Sequence, residues 1–143
     1  MNLRWLVVLS LALAGCSSYG TPTSSTPPPG TPAAPYSATD LAVGTGATAT
    51  QGRTTTVSYN GYLYDPTKAN AEGTRFDSNP NFSFVLGTGS VIRGWDMGVV
   101  GMRVGGQRRL VIPPELGYGA VAQGSAIPAN STLVFDITLI NVN

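Results

Sequence analysis

Few residues of this 143-residue chain could do chemistry on a substrate. There is no histidine, and the single cysteine, Cys16, lies near the N-terminus. Ser-His and Cys-His nucleophiles and histidine-ligated metals are therefore excluded, and neither a metal nor a cofactor is expected. The most informative stretch is residues 91 to 119, VIRGWDMGVVGMRVGGQRRLVIPPELGYG, which sets Trp95 among glycines and apolar side chains and ends on Tyr118 at a strand-to-loop transition. Nothing in it is a nucleophile or a good metal ligand. Any activity must work through shape, apolar surroundings and hydrogen bonds.

The elements that would hold these residues follow from periodicity. Residues 54 to 64, TTTVSYNGYLY, are rich in β-branched and aromatic side chains, as are residues 82 to 86 and 108 to 112, while residues 132 to 142 alternate Leu133, Phe135, Ile137 and Leu139 on one face. These read as strands. Val91, Ile92, Trp95, Val99 and Met102 fall on one face of a short amphipathic helix over residues 91 to 102, despite its glycines. One helix against one antiparallel sheet makes an α+β domain from about residue 39 to residue 143. Hydrophobic content of 42% suffices for a core, and charged content of 10% is low against the usual ~25%, which suggests an extracytoplasmic home. The formal charge of +1 carries no electrostatic footprint for nucleic acid.

The N-terminus reads as a targeting segment. Arg4 precedes an apolar run from Trp5 to Ala14, too short for a stable membrane-spanning helix, and residues 13 to 16, LAGC, resemble the bacterial lipobox. The expectation is a signal peptide over residues 1 to 15, removed so that Cys16 becomes a lipidated N-terminus. Each acyl CH₂ buried in the bilayer contributes about 0.8 kcal/mol, so several chains would anchor firmly. Ser17, where some lipoproteins carry Asp, resembles the pattern that sorts to the outer membrane of Gram-negative cells, facing the periplasm. Residues 16 to 38 are then a Pro/Ser/Thr-rich tether without charge, reaching about 60 Å at ~3.1 Å per residue.

Residues 43 to 142 resemble the FKBP-type peptidyl-prolyl cis-trans isomerases. The resemblance is carried, in order, by Tyr59-Asn60-Gly61, Phe76-Asp77-Ser78, residues 82 to 87 (FSFVLG), residues 91 to 96 (VIRGWD), Tyr118-Gly119, Ile127-Pro128 and residues 133 to 136 (LVFD). It implies a five- or six-stranded antiparallel half-barrel wrapped around one short helix, with an apolar pocket between them. It also implies proline-containing polypeptide clients and rapamycin-class macrolides as ligands. By the same resemblance Trp95 forms the pocket floor, Tyr59, Phe76, Phe82, Val91 and Phe135 its walls, and Ile127 a further contact. The Ile92 backbone N–H would hold the carbonyl after the proline, Tyr118 would offer its hydroxyl to a substrate carbonyl, and Asp77 would orient from the rim.

Such residue types suit the reaction. Rotation about a peptide bond meets a barrier of about 18–20 kcal/mol because it breaks amide resonance. The twisted amide has lost dipole, so an apolar site disfavours it less than the planar form. No proton transfer or covalent intermediate is required, in keeping with a histidine-free chain.

Three departures from the family pattern stand out. Only Asn79-Pro80-Asn81 separates Phe76-Asp77-Ser78 from the next aromatic, which leaves open whether Arg75 takes the place of the customary basic partner of Asp77. Residues 66 to 72, PTKANAE, form an insertion expected as a loop or bulge near the pocket rim. Gln123 and Ala126 stand where the family often has His and Ile, thinning one wall. A non-catalytic peptide-binding or chaperone module on the same scaffold is the competing reading, since fold alone does not define function. The tether lacks the helical dimerisation segment of some larger relatives, so a monomer is expected.

Overall fold

The computed structural model describes residues 32–143, so the leader, Cys16 and the tether up to residue 31 lie outside the described residues. Five strands form one antiparallel sheet: β1 (Ser37–Ala42), β2 (Thr54–Tyr64), β3 (Glu72–Val85), β4 (Gln107–Ile112) and β5 (Leu133–Val142), in the spatial order β1-β4-β5-β2-β3. The single α-helix among the described residues, α1 (Arg93–Gly98), lies against the sheet. β2 and β5 are the central pair, and their apolar residues Val57, Phe135, Ile137 and Leu139 are buried with Leu110 and Ile112 of β4. The open five-stranded sheet with one short helix is the α+β arrangement the residue pattern implied.

The elements differ from expectation in physically instructive ways. The helix spans Arg93–Gly98, half of residues 91 to 102. Val99 and Met102 are indeed buried, but from a turn, because Gly101 has φ +85 and ends the helical path. Apolar spacing reported burial there, not helix. Strand β1 has no sequence signature, since all six of its residues are exposed and it shows no alternation. β3 runs to fourteen residues where periodicity picked out only its last four and Leu86 beyond them.

That length is possible because β3 is irregular. Its pairing with β2 shifts three times, each time with one more residue on β3 than on β2. Pro80, which lacks an N–H for the ladder, falls within the first of these bulges and on an edge strand. The second bulge inserts Phe76 between Arg75, opposite Tyr62, and Asp77, opposite Gly61.

None of the inserted residues 66 to 72 lines the pocket. Residues Ala69–Ala71 make one 3₁₀ turn, and Glu72 carries its carboxylate to Arg109 on β4, 2.5 Å away. Arg109 also makes two bonds to Asp136, both at 2.7 Å. Asp136 lies between the buried Phe135 and Ile137 on β5, so this three-membered network occupies the opposite face of the sheet from the core. Crowding beside Asp136 and burial raise the Glu72 pKa, with burial the larger cause.

The helix approaches β4 as closely as a backbone can. A methyl group added at Gly94 would lie 2.7 Å from Ile112 Cδ1, and one at Gly98 would lie 2.5 Å from Leu110 Cδ2. Gly98→Ala is therefore expected to lower the unfolding free energy by about 1–3 kcal/mol, as overpacking does, read from the midpoint of a urea melt. An unchanged midpoint would mean that α1 can lift from β4 without cost.

Candidate active site

Between α1 and the core face of the sheet lies a cavity of about 170 Å³, lined by Tyr59, Phe76, Asp77, Phe82, Ser90, Val91, Ile92, Trp95, Tyr118 and Phe135. Drug-sized ligands fill pockets of about 300–1,000 Å³, so this one takes a ring-sized group and leaves the rest of any larger ligand across its rim. Nine of the ten residues expected at the site are brought together here. Ile127 is not among them. It is buried in the core cluster, its backbone bridging to Gln123 in a short hairpin. Gln123 and Ala126, the two flap substitutions, are exposed and do not line the cavity either.

Trp95 is the centre of the site. Its ring centroid lies 5.0 Å from that of Tyr59, 5.2 Å from Phe135 and 6.0 Å from Phe82, each pair edge to face. This is the geometry in which the positive edge of one ring meets the negative face of the next. Phe76 completes the wall, 5.5 Å from Phe135 and again edge to face. The indole N–H has no hydrogen-bond acceptor among the described residues although Trp95 is only 4% exposed.

Backbone irregularity supplies the remaining wall. In a regular strand Phe76 and its neighbour Asp77 would face opposite sides of the sheet. The bulge lets both line the cavity. Gly61 makes room for the rings of Phe76 and Phe135, because a methyl group there would lie 2.7 Å from Phe76 Cζ and 2.8 Å from Phe135 Cε1.

The polar groups are few and defined. The Tyr59 hydroxyl donates to Asp77 Oδ2 at 2.6 Å, and the other carboxylate oxygen accepts the Ser78 N–H at 2.8 Å. Arg75 forms no ion pair with Asp77 among the described residues. Burial pushes the Tyr59 pKa well up, and its bond to the Asp77 carboxylate adds to the shift. Tyr118, 37% exposed at the rim, is raised by burial and then by the Asp77 charge. Both hydroxyls therefore remain donors through the physiological range. Ile92 caps α1, its carbonyl accepting from the N–H groups of Trp95 at 3.0 Å and Asp96 at 3.3 Å. Its own N–H donates to no atom among the described residues.

Ser90 is the lining residue that sequence reasoning missed. Its hydroxyl donates to the Val85 carbonyl at 3.0 Å, within the turn between β3 and α1. Asp96 closes that turn by accepting the Gly87 and Gly89 N–H groups at 2.8 and 2.9 Å. The SVIRGWD order carried the hint, since Ser90 immediately precedes the motif. Among the described residues no cluster of carboxylates, histidines or cysteines could hold a metal.

A small antiparallel sheet cradling one helix, with a dry aromatic cleft, two protonated hydroxyls and one rim carboxylate, defines a module that seats an apolar ring while hydrogen-bonding a polypeptide across it. Residues 46–140 match the FKBP-type peptidyl-prolyl cis-trans isomerase family. The chain is 43% identical over 107 residues to an FK506-binding protein of Neisseria meningitidis, covering 72% of this chain and 92% of that one. It is 51% identical over 100 residues to the peptidyl-prolyl cis-trans isomerase FKBP53 of Arabidopsis thaliana, covering 68% of this chain but 20% of that one. A nuclear FK506-binding protein of Spodoptera frugiperda is 45% identical over 106 residues, and this chain spans 24% of it. The chain belongs to the FKBP-type peptidyl-prolyl cis-trans isomerase family.

The tyrosines bear on stability. Tyr36, Tyr59 and Tyr118 each hold their proton more tightly in the folded state than the ordinary 10.0. A group whose folded pKa is raised contributes stability that is complete below its unfolded pKa and lost as the pH climbs towards the folded value. Melting temperature is expected to fall steadily above about pH 10, and less steeply in Tyr59→Phe. Identical alkaline profiles for the two proteins would remove Tyr59 from this account.

Proposed function

We propose that this chain catalyses cis-trans isomerisation of X-Pro bonds in extracytoplasmic proteins. The observation that carries the reading is the Trp95 cavity itself, ring-sized, aromatic and bordered by hydrogen-bond donors. The proline ring packs on Trp95 between Tyr59, Phe76, Phe82, Val91 and Phe135. The Ile92 N–H and the Tyr118 hydroxyl take carbonyls of the flanking chain. In this setting the planar amide loses its hydration, while the twisted amide, with less dipole, loses less. A barrier lowered by about 5 kcal/mol accelerates rotation a few thousandfold.

Asp77 acts without proton transfer. Its carboxylate orders the Tyr59 hydroxyl at the cavity edge and places a negative charge beside the rotating amide. Macrolides of the rapamycin and FK506 class are ligands of the same cavity, their ring-sized core seated on Trp95 and the remainder lying over Tyr118 and the flap. The FK506-binding names of relatives support that ligand class.

For the reaction the expected outcomes are distinct. In a protease-coupled or NMR exchange assay on an X-Pro peptide, Phe135→Ala loses most activity and folded Asp77→Asn only part of it. The truncation also costs about 3–5 kcal/mol of stability, so the assay is run where circular dichroism shows both variants folded. The rate is nearly flat from about pH 5.5 to 8.5, because the chain has no histidine. A bell-shaped profile with no activity in Asp77→Asn would establish acid–base catalysis instead. Peptide binding without rate enhancement would establish the binding-module reading.

The protein is a monomer anchored by lipid on Cys16, on the periplasmic side of a Gram-negative outer membrane. Residues 1 to 17 support this by their apolar run and lipobox-like tetrad. No helix among the described residues is long and apolar enough to cross a membrane. Labelling with a palmitate analogue is expected to mark the protein, and Cys16→Ser to release it from membranes. A Cys16→Ser protein that stays equally membrane-bound would end the idea.

A further inference from the structure

Tyr36 lies where the Pro-rich segment meets the sheet, yet it is half-buried and packs on the core. Its hydroxyl donates to the Gly94 carbonyl in the first turn of α1, 3.2 Å away and 58 residues on in sequence. A methyl group at Gly98 would lie 2.6 Å from the same oxygen, so the ring end sits over the glycine face of the helix. One residue later the chain enters β1, and Ser37 pairs with Val111 of β4.

The far end of α1 is tied to the same strand. Arg108 of β4 donates Nη1 to the carbonyls of Gly98 at 2.7 Å and Val100 at 3.2 Å. Its Nε donates to Asp40 of β1 at 2.6 Å. Cationic donors at the C-terminal carbonyls suit the helix dipole. A six-residue helix has no stability of its own, so its attachments decide where it sits. α1 carries Trp95 and is capped by Ile92. Neither Tyr36, Asp40 nor Arg108 lines the cavity.

From this geometry we infer that Tyr36, at the end of the tether, is a positioning residue for the pocket floor, holding α1 so that Trp95 and the Ile92 N–H face the substrate. The segment before β1 is then more than a spacer. Its last residue is part of the scaffold of the site. The inference rests on the isomerase reading for its kinetic consequence and not for its structural one.

The test uses the protein carrying Trp5→Phe, so that Trp95 is the only indole whether or not the leader is removed. Into it go Tyr36→Phe, Tyr36→Ala and, as a control on the strand that follows, Leu41→Ala, an exposed residue that does not line the cavity. Loss of the hydroxyl is expected to lower kcat about fivefold, the worth of one neutral hydrogen bond, with KM little changed. Tyr36→Ala loses more, about tenfold, as misplacement of a site by a fraction of an ångström does. In both variants Trp95 emission moves to the red and acrylamide quenches it more, while circular dichroism shows the fold intact. Leu41→Ala changes none of these.

A folded Tyr36→Ala protein with parental emission and parental kcat would overturn the proposal. Should Tyr36→Ala fail to fold, Tyr36→Phe decides it on the same readouts, and parental values there overturn it equally. If the parent shows no rate enhancement on X-Pro peptides, the isomerase reading falls. Trp95 emission still decides whether Tyr36 holds the floor.

Discussion

The contact of a bare helix face with a strand organises this domain. Gly94 and Gly98 present no side chain towards β4, so Ile112 and Leu110 pack directly on the helix backbone. Only at that separation does Trp95 drop among Tyr59, Phe82 and Phe135 instead of standing above them. The edge-to-face cluster follows, and with it a cavity whose floor and walls are one connected set of rings. A cluster of this kind resists partial change, because each ring is the backstop of the next.

Charge is kept away from that cluster by the sheet. The Glu72–Arg109–Asp136 network occupies the far side, and Arg108 and Asp40 serve the helix end. Among the described residues that line the cleft the sole formal charge is Asp77, partnered by the Tyr59 hydroxyl and by no cation. A guanidinium there would be a competing donor and a strongly hydrated rim. A phenol keeps the entrance both polar and largely aromatic, which suits chemistry that depends on removing water from an amide.

Much of this was legible in the chain. The β-branched and alternating runs mark β2, β4 and β5 because these strands each bury one face. The cavity residues could be named because they fall in motifs of fixed order. What periodicity could not reveal has a physical reason in each case. β1 is an exposed edge held by backbone pairing and one ion pair, which leaves no hydrophobic pattern. The helix was read twice too long because Val99 and Met102 are buried from a glycine turn at a spacing a helix would share. The placement of Glu72 depends on a partner 37 residues away, and Ile127 is core where a pocket contact was expected. The double exposure of Phe76 and Asp77 to the cleft depends on a bulge, which hydrophobicity does not encode.

Those bulges have a second consequence. β1 and β3 are the free edges of the sheet, and an edge strand offers unpaired N–H and C=O groups to any extended chain nearby. Under the proposed function such chains are what the domain meets. Three interruptions and Pro80 on β3, and a register shift with an ion-paired aspartate on β1, break the hydrogen-bond template along both margins. A client can seat a ring in the cleft without zippering its backbone onto the sheet. On the reading proposed above, such margins let a client depart without first being unzipped from the sheet.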